Sequence, residues 1–280
     1  MTKILTIPFL LLIALSATAG GGWPQPKGGG FFKIGQYNII ANKYFTPAGD
    51  VVDITTTGYY ATSIYGEYGI TDKLTAIAYI PFFVRSTLNR LETPEGELVQ
   101  EGDELNSFGD TNLTLKYGIF NKGPYVGALS LTFGLPLGES AGGSTGLLQS
   151  GDGEFNQMLS FDVSRSFGKG NTYATAMVGY NNRTNNFSDE IRYGVEGGLR
   201  LNKTWLILRI NGIKPLETGN EDFVPNNGIF SNKIEYLAIS PEINYNFNDK
   251  IGASVSGGFA AYGKRLLASP AFSFGVYMKI

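Results

Sequence analysis

From residue 30 to the C-terminus the chain alternates between apolar and polar positions. In 111–120 (TNLTLKYGIF), Leu113, Leu115, Tyr117 and Ile119 share one parity, and Asn112, Thr114, Lys116 and Gly118 the other. In 125–135 (YVGALSLTFGL), Leu129, Leu131, Phe133 and Leu135 oppose Ala128, Ser130, Thr132 and Gly134. The last segment sets Phe272, Phe274, Val276, Met278 and Ile280 against Ser273, Gly275, Tyr277 and Lys279. Successive side chains on a strand point to opposite faces, so each segment reads as a strand with one greasy and one polar face. Twelve such segments occur, at about 30–41, 56–69, 74–87, 109–120, 125–136, 155–167, 172–182, 190–201, 204–215, 233–247, 251–261 and 269–280. Most match the ~9–11 residues with which a tilted strand crosses hydrocarbon.

The connections alternate as well. Those at 70–73, 121–124, 168–171, 202–203 and 248–250 are short and polar; those at about 42–55, 88–108, 137–154, 183–189, 216–232 and 262–268 are mostly long. An outer-membrane barrel has short periplasmic turns and long external loops, and an even strand number returns both termini to one side. The pattern therefore predicts an all-β fold: an antiparallel twelve-stranded transmembrane β-barrel of outer-membrane type over 30–280. The competing architecture is a secreted β-sandwich, which also alternates but requires no ordering of short against long connections.

If the apolar faces meet lipid, the polar faces line a lumen. Its ionisable members are then Lys33, Lys116, Arg192, Arg200 and Arg209 against Glu67, Asp162, Glu196 and Glu242. A lone Arg or Lys facing lipid at mid-depth costs about 2–4 kcal/mol, so this placement supports the register. The candidate pore-lining residues are Lys116, Asp162, Arg192, Glu196, Arg200, Arg209 and Glu242. Arg192, Glu196 and Arg200 recur every four residues on one face and are expected to form a ladder along the bore. Two roles compete for these charges: mutual ion pairs that stiffen a narrow barrel, or a constriction that sorts solutes. The nearly balanced signs favour a neutral or amphipathic solute.

Composition narrows the chemistry. The 280 residues carry 22 Lys plus Arg and 24 Asp plus Glu, a net charge of −2, which gives no cationic face for nucleic acid. There is no Cys and no His. That excludes disulfide frameworks, thiolate nucleophiles, His-dependent triads and His-bearing zinc motifs. No phosphate-loop or EF-hand motif is present, so no cofactor or metal is expected. The 38 Gly fit a chain of strands and turns.

Residues 1–19 (MTKILTIPFLLLIALSATA) have the form of a signal peptide: Lys3, an apolar run from Ile4 to Leu15, and Ala17-Thr18-Ala19 before the expected cleavage. Residues 20–29 read as a flexible Gly-rich leader, too short for a plug domain. The acidic loop 88–108 carries Glu92, Glu95, Glu97, Glu101, Asp103 and Glu104 against Arg90. It reads as a solvated external loop, with divalent-cation binding as the sharper alternative. Ser273–Ile280 is similar to the C-terminal signature read by the barrel-assembly machinery, with Ile280 where an aromatic is usual. The other expected partners are outer-membrane lipid, lipopolysaccharide and a small-molecule solute, with the protein a monomer.

Three pieces carry a family resemblance. They are Phe108-Gly109-Asp110-Thr111 leading into a strand that ends Lys116-Tyr117, the run 129–138 (LSLTFGLPLG), and the turn 68–74 (YGITDKL) leading into 78–82 (AYIPF). Together they resemble the MetA-pathway of phenol degradation family of outer-membrane transporter-like barrels. The resemblance implies passive uptake of small aromatic or hydrophobic molecules and implies no catalytic residues. Two other classes remain open. One is a closed structural or adhesive barrel; the other is an outer-membrane hydrolase using carboxylates alone, for instance Asp162 with Glu242.

Overall fold

The computed structural model describes residues 21–217 and 229–280. The expected signal peptide lies outside the described residues. Twelve long strands form the wall: β1 (Gly30–Phe45), β2 (Val51–Gly69), β3 (Leu74–Leu88), β4 (Thr111–Lys122), β5 (Tyr125–Leu135), β6 (Asn156–Phe167), β7 (Thr172–Arg183), β8 (Glu190–Leu201), β9 (Thr204–Pro215), β10 (Glu235–Asn246), β11 (Ile251–Lys264) and β12 (Ala271–Lys279). Each pairs antiparallel with its neighbours in sequence. β1 also pairs with β12, from Phe31 opposite Lys279 to Ile39 opposite Ala271, which closes the sheet into a barrel. Closure leaves the wall without an edge strand. Two short strands in the loops extend the sheet: Asp103–Ser107 against β3 and Leu266–Leu267 against β1.

Burial is inverted relative to a water-soluble domain. Ile34, Val255, Val276 and Phe274 are 53–60% exposed, whereas Thr75, Ser160, Lys116 and Asp162 are buried. The greasy parity faces out and does not meet a second sheet, which rules out the sandwich. Tyr68, Tyr117, Tyr125, Phe167, Tyr245 and Phe247 ring the short-turn end outside, and Tyr180, Tyr193 and Tyr262 lie toward the other. These are the aromatic girdles expected where a barrel wall leaves the hydrocarbon.

Two expectations change. The connection expected over about 42–55 shrinks to 46–50, because β1 and β2 stay paired out to Phe45 opposite Val51. In addition, one stretch of the inner wall is apolar. At the long-loop end Ile39, Ala41, Tyr59, Ala61, Val84, Leu267 and Ala271 form a buried cluster, joined by Phe230 from the 216–234 connection. In 37–41 (YNIIA) apolar residues occupy both parities, so here the inner face is greasy too.

Val195 lies on the outward face of β8, 53% exposed. The substitution Val195→Arg should lower the unfolding free energy by about 2–4 kcal/mol in denaturant titration of the barrel in phospholipid vesicles.

Candidate functional site

The lumen holds a cavity of about 1130 Å³ lined by residues from both rims, from Lys279 and Trp23 to Asp110, Arg183 and Phe230. Its chemistry changes along the axis in three zones.

At the short-turn end the segment 21–29, expected as a flexible leader, lies inside the bore along the wall from β6 to β2. Gly22 N donates to Ser164 Oγ of β6 at 2.8 Å, and Lys116 Nζ of β4 donates to the Gly21 carbonyl at 2.9 Å. Further along the same wall, on β3 and β2, Gln25 N donates to Thr75 Oγ1 and Gln25 Nε2 to Glu67 Oε2, both at 2.8 Å. Glu67 is 2% exposed and also accepts from Tyr65 Oη. Trp23 packs edge-on against Tyr173, with ring centroids 5.8 Å apart. The polar lumen supplies hydrogen-bond partners for an extended backbone, and this is why a Gly-rich strand of chain can lie there.

The middle zone is a cluster of ion pairs on the adjacent strands β7 to β10. Arg209 donates through Nε to Glu196 and through Nη1 to Glu242 at 2.6 Å. Tyr173 Oη donates to Glu196 Oε1 at 2.5 Å. Gly198 makes room for this arrangement: a Cβ there would stand 2.1 Å from the Tyr173 ring. Trp205 packs on the other side of Tyr173, at 5.6 Å.

The outer zone is a knot that draws the 136–155 connection into the mouth. Asp110 accepts from Gly138 N at 2.9 Å and from Asp152 N at 2.7 Å. Gly151 has no alternative, since a Cβ there would lie 2.1 Å from the Asp110 carboxylate. Arg183 bonds Glu154 at 2.7 Å and Asp152 at 2.8 Å, and lies 3.6 Å from Glu190. Glu190 in turn accepts from Arg192 and from Asn181. Ser86 Oγ donates to the Gln149 carbonyl, and Asp103 of the acidic loop accepts from Ser144 N and Thr145 N. Both long loops are therefore tied to each other and to the wall. Burial first, and then the neighbouring Asp110, push the Asp152 carboxyl up to about 6. Burial raises Asp110 as well.

Six of the seven candidate residues lie on the cavity wall: Lys116, Asp162, Arg192, Glu196, Arg209 and Glu242. Arg200 does not. It sits at the short-turn rim, exposed, with Nε donating to the Asn202 carbonyl at 3.0 Å. The expected ladder on β8 is divided accordingly: Arg192 joins the outer knot, Glu196 the middle cluster and Arg200 the rim. Asp162 and Glu242 share no hydrogen bond, since Glu242 is engaged by Arg209. The paired acid needed for carboxylate-only hydrolysis is not assembled between these two. The residues that sequence reasoning missed are Asp110, Asp152, Glu154, Arg183, Glu190 and Trp23. The Gly109-Asp110 motif was the one signal that pointed to them.

No family model and no curated protein matches the chain. Solved structures do. An outer membrane channel from Pseudomonas putida F1 superposes with a TM-score of 0.64 at 13% identity, covering 95% of this chain and 100% of that one. The KdgM porin gives 0.50 at 5% identity, covering 89% of this chain and 99% of that one. At such identities the likeness is one of fold, a closed barrel of outer-membrane type.

Two predictions follow from these contacts. Arg209→Ala leaves Glu196 and Glu242 facing each other without their cation and should cost about 3–5 kcal/mol in denaturant titration. Asp152 has a raised carboxyl, so between about 4 and 6 the folded state holds more protons than the unfolded one, and stability falls as pH rises through that window. Protection of the 137–154 loop in hydrogen exchange should therefore decline as pH rises toward 6, and Asp152→Asn should flatten that profile.

Proposed function

We propose that the protein is an outer-membrane channel through which small molecules move passively down their gradient. The observation that carries this reading is the cavity of about 1130 Å³, whose lining includes residues of both rims. The barrel fold shared with an outer membrane channel supports it, and so does the resemblance of the Gly-Asp and Pro-Leu-Gly segments to the MetA-pathway of phenol degradation family.

The lining also suggests the solute class. The charges of the middle cluster and of the outer knot are engaged with one another. Beside the outer knot lie Tyr37, Tyr59, Tyr79, Pro81 and Phe230, an aromatic and aliphatic wall. An apolar wall beside a polar, hydrogen-bonding lining suits a small solute with an aromatic or hydrophobic body and a hydroxyl or amine edge. Passage requires binding that is favourable but weak, and a wall of contacts without a dedicated ion pair meets that requirement. In this reading the apolar outer belt faces outer-membrane lipid, and the external loops meet lipopolysaccharide.

The strap at 21–29 narrows the periplasmic exit in this reading. Refolded protein in planar bilayers should show small, steady conductance, and vesicles loaded with it should admit phenol faster than empty vesicles. Trp23→Gly should raise conductance by clearing the ring that packs on Tyr173. Absence of both conductance and solute flux, in the native chain and in Trp23→Gly alike, would favour a closed structural barrel.

A further inference from the structure

The outward face of the barrel has a break in its apolar coat. Along β1 the outward parity runs Ile34, Gln36, Asn38, Ile40, and in-register outward positions on β2 are Ile64, Thr62 and Tyr60. Ile34 and Ile40 are 60% and 57% exposed, which fixes the parity that meets lipid. Between them three polar side chains form one hydrogen-bonded row. Thr62 Oγ1 donates to Gln36 Oε1 at 2.6 Å, and Gln36 Nε2 donates to Asn38 Oδ1 at 3.0 Å and to the Tyr37 carbonyl at 3.2 Å. Phe272 and Phe274 of β12 pair with Asn38 and Gln36 and flank the row.

This row does not serve the lumen, which lies on the other face of the same strands. Nor does it offer a backbone edge, because β1 is paired on both sides. The row is also incomplete. The Asn38 Nδ2 group donates to no acceptor among the described residues, while Asn38 Oδ1 and Thr62 Oγ1 keep spare lone pairs. Acyl chains supply neither donors nor acceptors, so polar groups in this position are costly unless another protein surface meets them.

We infer that this row is the contact face of a homodimer formed within the membrane, with a second copy of the chain supplying the missing hydrogen-bond partners. A two-fold axis needs one patch that carries both halves of the interaction. The Asn38 amide is a donor, and the carbonyl and hydroxyl beside it are acceptors, so the row is complementary to its own copy. The flanking Phe272, Phe274, Ile34 and Ile40 add apolar contact around it. The inference is independent of what passes through the lumen, and it replaces the expected monomer.

The chain has no Cys, so single-cysteine variants report cleanly. The test compares Ile40→Cys, beside the row, with Val195→Cys, five strands away on β8 by the shorter way round the barrel. Both are refolded in vesicles at low protein-to-lipid ratio and treated with a short bis-maleimide. Ile40→Cys should give a cross-linked dimer, and Val195→Cys only collisional background. Adding Gln36→Leu and Asn38→Leu to Ile40→Cys should lower the dimer yield roughly threefold or more. Folding is followed by heat-modifiable gel mobility. If the double leucine variant does not fold, Thr62→Val in the Ile40→Cys background takes its place. Equal yields at positions 40 and 195, or an undiminished yield once the polar groups are gone, would overturn the inference.

Discussion

The whole structure depends on the rule that, in hydrocarbon, every backbone N–H and C=O must be paired within the chain itself. Twelve strands meet this rule only because β1 pairs with β12 as well as with β2. Once the wall is closed, the side-chain period of two does the remaining sorting. Within the belt the outward residues face the membrane and the inward residues face whatever fills the bore. The apolar groups are then the exposed ones, and a buried Lys116 or Asp162 sits in a polar interior and not in an apolar core.

That interior imposes its own conditions. Charges confined in a narrow bore have less water around them than at a surface, and an unpaired one is expensive. The lumen meets this cost by grouping. Arg209 serves two carboxylates, and Arg183 serves three, the closest two by hydrogen bonds. The same grouping pulls chain into the bore. The 136–155 connection descends because its own Asp152 and Glu154 are partners of Arg183, and because Asp110 binds its backbone. The segment 21–29 is held at the other end by Ser164, Lys116, Thr75 and Glu67. Both constrictions thus come from polar groups that a lumen needs to satisfy in any case.

The wall was legible in the sequence because it rests on parity. Leu113, Leu115, Tyr117 and Ile119 point outward as their spacing requires, and the same parity placed Arg209, Glu196 and Glu242 inside. The failures have a different origin. Arg200 has the inward parity but lies beside the 202–203 turn, and parity says nothing about depth. The β1–β2 hairpin outgrew its expected length because strand pairing continues past the membrane belt, where no hydrophobic boundary marks its end. The inward fold of 137–154 and the path of 21–29 depend on contacts between residues far apart in sequence. Glycine-rich, polar chain looks the same whether it is solvated outside or threaded through a polar bore.

The partition of the lumen has a consequence for what it admits. A strongly charged solute would have to break into pairs such as Arg209 with Glu242, exchanging good partners for its own hydration. A purely apolar solute would meet Trp23, Tyr173 and Trp205 readily but would strip water from the ion pairs beside them. In the proposed channel a solute with one apolar face and one hydrogen-bonding edge loses least, since it can turn its face to Tyr59 and Phe230 and its edge to the polar lining. On the proposed function, selectivity follows from the order of the linings along the axis of the bore. No single residue in it has to recognise the solute.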